Sequence, residues 1–147
     1  MAEQVRRLIL IGDTSGRMLR QSMNDKQFRF QDMKIWKRAA EFSPQLFYLA
    51  DQLEQRRLFR FAEQLRGATL SITNNIAEGS GSLSEMDFAN FLNTARRSTF
   101  EVANILSVLG TNGYLKDVEW SEILPQLEDE SKMLLAFIKT LRTSAAT

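Results

Sequence analysis

From Met33 almost to the end of the chain, apolar residues recur at three- and four-residue steps, the spacing of one face of an α-helix. Four runs can be traced. The first takes Met33, Trp36, Ala40, Phe47, Ala50 and Leu53, and Ser43-Pro44 interrupts it. Serine followed by proline reads as an N-cap and a first helical residue, so a kink or a restart is expected there. The second run takes Leu58, Phe61, Ala62, Leu65, Ala68, Thr69, Ile72 and Ile76 and ends at Gly79. The third takes Phe88, Phe91, Leu92, Ala95, Thr99, Val102, Ile105, Leu106 and Leu109 and ends at Gly110. The fourth takes Trp120, Leu124, Leu127, Ser131, Leu134, Ile138 and Leu141. Pro125 falls near its start, where a missing N–H costs little if Ser121 is the cap. Four amphipathic stripes with short connections predict an all-α, antiparallel up-down-up-down four-helix bundle over residues 29–147. The near-heptad spacing of the last three runs predicts shallow crossing angles. Residues 1–28 stay outside the pattern as an N-terminal arm, flexible or carrying a short extra element, and Met23 would serve equally well as a start.

Between the second and third runs lies NNIAEGSGSLSEMDF, residues 74–88, whose glycines and serines raise the question of a phosphate-binding loop. Such a loop needs a strand before it and a Gly-Lys-Ser/Thr to close it. Here the preceding segment is helical and no Lys or Arg follows until Arg96, so a turn is the better reading. Gly79 is expected in the left-handed position that ends the second helix, and Ser84 is expected to cap the third, with Asp87 three residues on. Asn75 borders the apolar face and must find partners if buried. Glu78 sits where the helix dipole disfavours an anion, so the amides of the third helix, Arg66 or Arg97 should compensate it. The corner Asn75, Glu78, Gly79 and Ser84 is read as a polar clamp on the helix hairpin, with contact to a partner or ligand as the alternative.

Composition narrows the chemistry. The chain has neither cysteine nor histidine, which removes disulfides, thiolate chemistry, Ser–His–Asp catalysis and His-containing zinc or di-iron sites. The inward positions are almost all apolar, so a non-enzymatic protein without cofactor or bound metal is expected. No run approaches the roughly 18 apolar residues of a membrane span, and the LILI run near the start is short for a signal peptide, so a cytoplasmic protein with no membrane partner is expected.

Charge is placed unevenly: residues 1–30 carry six Lys/Arg against three acids, and residues 31–147 carry 13 against 15. Arg56, Arg57, Arg60 and Arg66 make the first half of the second helix basic, offset by Glu63, and Arg96 and Arg97 add a pair on the third. The guanidinium fork suits phosphate, so these six arginines are candidate nucleic-acid or partner contacts. The alternative is structural pairing, for which Asp117, Glu119, Glu122, Glu128, Asp129 and Glu130 of the fourth helix supply counter-charge. Glu128 and Lys132 form an i,i+4 pair.

DMKIWKRA (32–39), LFRFAEQLRGATLSITNNIAEGSGSLSEMDFANFLNTARRSTFEVANIL (58–106) and GYL (113–115) together resemble the four-helix-bundle family called 23S ribosomal RNA intervening-sequence proteins. The resemblance spans roughly residues 28–142 and leaves the arm outside. It implies an up-down-up-down bundle that assembles as a ring, typically a homopentamer, with no catalytic residues to carry over. Some relatives are encoded inside ribosomal RNA genes. Others, the accessory proteins of diversity-generating retroelements, bind a reverse transcriptase and nucleic acid through basic surfaces. Those are strongly basic, unlike residues 31–147 here. The function expected is that of a ring-forming assembly and binding protein, with RNA or an RNA-processing or reverse-transcriptase partner on its arginines. The alternative is a purely structural protein–protein interaction module.

Overall fold

The computed structural model describes residues 28–147, so the arm expected over residues 1–28, with Met23, lies outside the described residues except for Phe28. A 3₁₀ turn, Arg29–Asp32, leads into α1 (Lys34–Gln55), α2 (Phe59–Ser80), α3 (Glu85–Thr111), the short α4 (Asp117–Ser121) and α5 (Leu124–Ala145). α2 packs on α1 and α3, and α5 packs on α3 and closes against α1. Arg38 pairs with Asp129 and Gln45 with Gln126, so α5 runs antiparallel to α1. The predicted four-helix bundle is therefore formed.

Its core is one stripe from each long helix. Leu46, Leu65, Ile72, Ile76, Leu92, Leu106 and Leu134 are fully buried, and each such side chain contributes about 1.5–3 kcal/mol by leaving water. The stripes of α2 and α3 follow the sequence pattern closely. That of α1 is rotated from the expected one: Ile35, Ala39, Phe42, Leu46 and Leu49 are buried, while Trp36, Ala40 and Phe47 are only half-buried. α1 carries apolar residues over a wide arc, and its contacts with both α2 and α5 select the middle of that arc.

Four local expectations are corrected. Pro44 starts no new helix: α1 runs through it, Pro44 is exposed, and the Ser43 hydroxyl donates to Ala39 O at 2.6 Å. Burial of Phe42, Leu46 and Leu49 on either side outweighs one lost backbone hydrogen bond. Gly79 is not in a left-handed cap but buried inside α2, which ends at Ser80 with Gly81 at φ −89°. A Cβ on Gly79 would stand 2.7 Å from Phe88 Cδ2 and from Phe91 Cβ, so this glycine exists to let α3 approach. Gly110 likewise lies within α3, under the Trp120 ring, and the left-handed glycine that follows the helix is Gly113 at φ 78°. Finally, Ser121 closes α4 rather than capping the last helix, which begins at Leu124 with Pro125 in its first turn.

Gly67 is a contrast. It is exposed in mid-α2 with nothing within 4 Å of where a Cβ would stand. Gly67→Ala should therefore stabilise the protein by about 0.5–1 kcal/mol through helix propensity alone, read as a higher urea midpoint with an unchanged slope.

Candidate nucleic-acid interface

The α1–α2 corner is built by a tight closure of α1. Leu58 N–H donates to Leu53 O at 2.9 Å and Arg57 N–H to Glu54 O at 2.8 Å. This pairing of bonds needs a left-handed residue just past the helix end, and that residue is Arg57, at φ 63°. The end of α3 closes with the same pattern, Tyr114 N–H to Leu109 O and Gly113 N–H to Gly110 O, but there the left-handed residue is glycine. No other described non-glycine residue has positive φ.

Around this corner stand Arg56, Arg57 and Arg60, all exposed, and none forms an ion pair among the described residues. Arg56 is engaged otherwise: its Nη1 donates to Tyr114 O at 2.6 Å and its guanidinium lies 6.0 Å over the Tyr114 ring. It ties the corner to the α3–α4 loop. Phe61 meets the same Tyr114 ring edge-on at 5.2 Å. Phe59, the first residue of α2, is 52% exposed. Arg57, Leu58, Phe59, Arg60 and Phe61 line an open recess of about 410 Å³. Lys116, exposed and two residues beyond Tyr114, adds a cation, while Glu63 is an exposed acid one turn along α2.

The other sequence-selected arginines are not brought to this place. Arg66 bonds Asp51 and Glu54 of α1, both at 2.5 Å, and these hydrogen bonds raise its pKa further. Arg96 lies 5.0 Å over the Phe100 ring with its Nε buried, and Arg97 is exposed beside it. Ser71 meets Ser98 across α2 and α3 at 2.8 Å, and α3 runs antiparallel to α2, so Arg97 and Arg96 sit about 18–20 Å along the bundle axis from Arg60. The acids of α5 do not serve α2. Asp129 takes Arg38 of α1 and Glu128 takes Lys132, which lowers the Glu128 pKa through that hydrogen bond and raises that of Lys132.

At the α2–α3 corner, Ser84 caps α3, its hydroxyl accepting from Asp87 N–H at 3.1 Å. Asn75 finds its partners within the bundle: Nδ2 donates to Ser71 O at 2.7 Å and to Ser71 Oγ at 3.1 Å, and Ser71 continues to Ser98. That is a polar tie between α2 and α3, made without Glu78. Glu78 is exposed, and neither Arg66 nor Arg97 pairs with it among the described residues.

Two residues escaped sequence reasoning. Phe59 lies off the stripe Leu58, Phe61, Ala62, Leu65 and between two arginines, which is the signal that sets it apart. Glu130 is fully buried with no hydrogen-bond partner for either carboxyl oxygen among the described residues. Its position three residues after Leu127 and four before Leu134 places it on the stripe. Among the described residues no three acid side chains gather closely enough to hold a metal ion, and no helix is long and apolar enough to cross a membrane.

A family model described as 23S rRNA-intervening sequence protein matches residues 31–136. Comparison with curated proteins finds no match. Among solved structures, the chain is similar to a protein of unknown function from the S23 ribosomal protein family of Bacteroides thetaiotaomicron VPI-5482. The two are 25% identical, with 71% of this chain and 98% of that one covered and a TM-score of 0.68.

Proposed function

The chain belongs to the 23S rRNA-intervening sequence protein family, and from that premise we propose that it is a non-enzymatic assembly and binding protein that takes up RNA at the α1–α2 corner. The observation that carries the reading is Arg57. An arginine occupies a left-handed position at φ 63° where glycine is easier, and it stands exposed beside Arg60 with no acidic partner among the described residues. Strained residues of this kind concentrate at functional sites. Assembly with further copies into a ring belongs to the same proposal. It is supported by apolar side chains left outside the bundle, among them Tyr48 and Phe100, each more than half exposed, and a ring repeats the small basic corner around its axis.

RNA binding of this kind is electrostatic, so affinity for a short RNA should fall steeply between low and moderate salt. The double variant Arg57→Gln/Arg60→Gln should flatten the log–log salt slope by about one to two, at roughly 0.7–0.9 per lost phosphate contact. Unchanged slope in the double variant, or no binding at low salt, counts against the reading. The second reading, a purely structural protein-interaction module, is favoured by the same exposed apolar residues together with the near-neutral bundle. Under it a pull-down recovers only protein, unaffected by nuclease. Sedimentation decides the ring: a stable monomer at micromolar concentration removes it.

A further inference from the structure

Resting on that RNA reading, we infer that the α1–α2 corner takes a single strand, with one unpaired base stacked on the Phe59 ring and the neighbouring phosphates held by Arg57 and Arg60.

Three features converge on this occupant. Phe59 turns an aromatic ring toward solvent, 52% exposed, at the lip of the recess that Arg57, Arg60 and Phe61 also line. Two residues on, Phe61 packs edge-on against Tyr114, and Arg56 donates to the Tyr114 carbonyl, so the backbone that carries Phe59 is tied to the α3–α4 loop. An exposed ring inside a basic recess suits a ligand that is flat, apolar on its face and anionic beside it, which describes a nucleotide. Stacking on such a ring is tolerant of base identity.

Arg57 supplies the second feature. The equivalent closure at the end of α3 uses Gly113, so this local geometry works with glycine. Keeping a cation at the α1 end retains charge at a backbone position that disfavours it. The third feature is the start of α2. Leu58 offers no side-chain cap, and no acid stands in the first turn, so no side chain of that turn neutralises the positive end of the helix dipole, and the residues that begin α2 line the recess.

The choice of a single strand follows from the ring. In a duplex both faces of every internal base are covered by neighbouring pairs, and Phe59 could engage only the backbone. An unpaired base leaves a face free for stacking.

The test uses the full chain, a short unstructured single-stranded RNA and its duplex form, with fluorescence anisotropy at low salt. The expected result is tighter binding of the single strand. Phe59→Ala should weaken single-strand binding by roughly 5- to 150-fold, the range that base stacking contributes, leave duplex binding unchanged, and be rescued by Phe59→Trp. Arg57→Gly should weaken binding while the melting temperature holds or rises, because glycine relieves the left-handed strain. That outcome separates the cation from any structural role. If Phe59→Ala binds the single strand as wild type does while Arg57→Gly is weakened, the stacking site is wrong and RNA binding at the corner stands. Preference for duplex overturns the stacking site in the same way. If wild type binds neither form, the RNA reading itself falls.

Discussion

Glu130→Gln should abolish most of the pH dependence of this protein's stability between pH 4.5 and about 8. The Glu130 carboxyl is fully buried on α5, and both its oxygens lack a hydrogen-bond partner among the described residues. Burial pushes its pKa from 4.5 up to about 8, and the Arg38 guanidinium reduces the rise only in part. Arg38 is committed elsewhere, with Nη2 donating to Asp129 at 3.0 Å, while its own Nε is buried without a hydrogen-bond partner among the described residues. The sign follows from proton counts. Between pH 4.5 and 8 the folded protein holds a proton on Glu130 that the unfolded chain has released. The folded state therefore binds more protons, and stability is lost as pH rises.

The contribution is fully present below pH 4.5 and gone above pH 8, falling in between by up to about 1.4 kcal/mol per pH unit. Urea midpoints at pH 5 and pH 8.5 read it directly. Wild type should be less stable at the higher pH by a few kcal/mol, because a charged carboxylate then sits in the core without a hydrogen-bond partner among the described residues, and the attraction of Arg38 offsets its desolvation only in part. Glu130→Gln should be nearly flat, close to wild type at pH 5 and above it at pH 8.5. Parallel profiles for the two proteins would sink the argument.

Gly79→Ala should destabilise the protein by about 1–3 kcal/mol, the range for overpacking a core. Alanine is the better helix former by about 1 kcal/mol, so the propensity term points the other way. Sterics win because the new Cβ would stand 2.7 Å from both Phe88 Cδ2 and Phe91 Cβ. Phe91 Cβ is fixed to the α3 backbone and cannot swing away. Phe88 is itself held, 3% exposed, with the Phe137 ring 5.4 Å away and the Arg29 guanidinium 5.3 Å over its own ring. The strain therefore spreads α2 from α3. Gly67→Ala, the same change in the same helix, should raise stability. A Gly79→Ala protein with a higher urea midpoint than wild type would mean that α3 is free to shift.

Much of this could be read before the fold was known. The stripes of α2 and α3 were legible because burial repeats every three or four residues, and Ser84 was legible as a cap because the residues it serves are its own neighbours. The pair Glu128–Lys132 was legible for the same reason. Less could be read where partners are distant in the chain. Arg66 was a candidate phosphate contact until Asp51 and Glu54 of α1 took it, and Asn75 was an unexplained amide until Ser71, itself bonded to Ser98, received it. Glu130 stood in a run of acids that reads as counter-charge for arginines, yet its rotation about α5 turns it inward.

By itself the chain determined the four long helices among the described residues, their order and most of their buried faces, since hydrophobic period and short connections are local properties that leave few ways to bury the stripes. Only the tertiary structure decided which glycine serves a turn and which serves packing. Gly113 takes a left-handed backbone, whereas Gly79 and Gly110 make room for rings that lie far from them along the chain or on another helix. It likewise decided that Arg57, rather than any of the other described arginines, sits strained at a recess with no acidic partner among the described residues. A residue's space, charge partners and solvent access depend on atoms brought near by the fold, and no spacing along the chain encodes them.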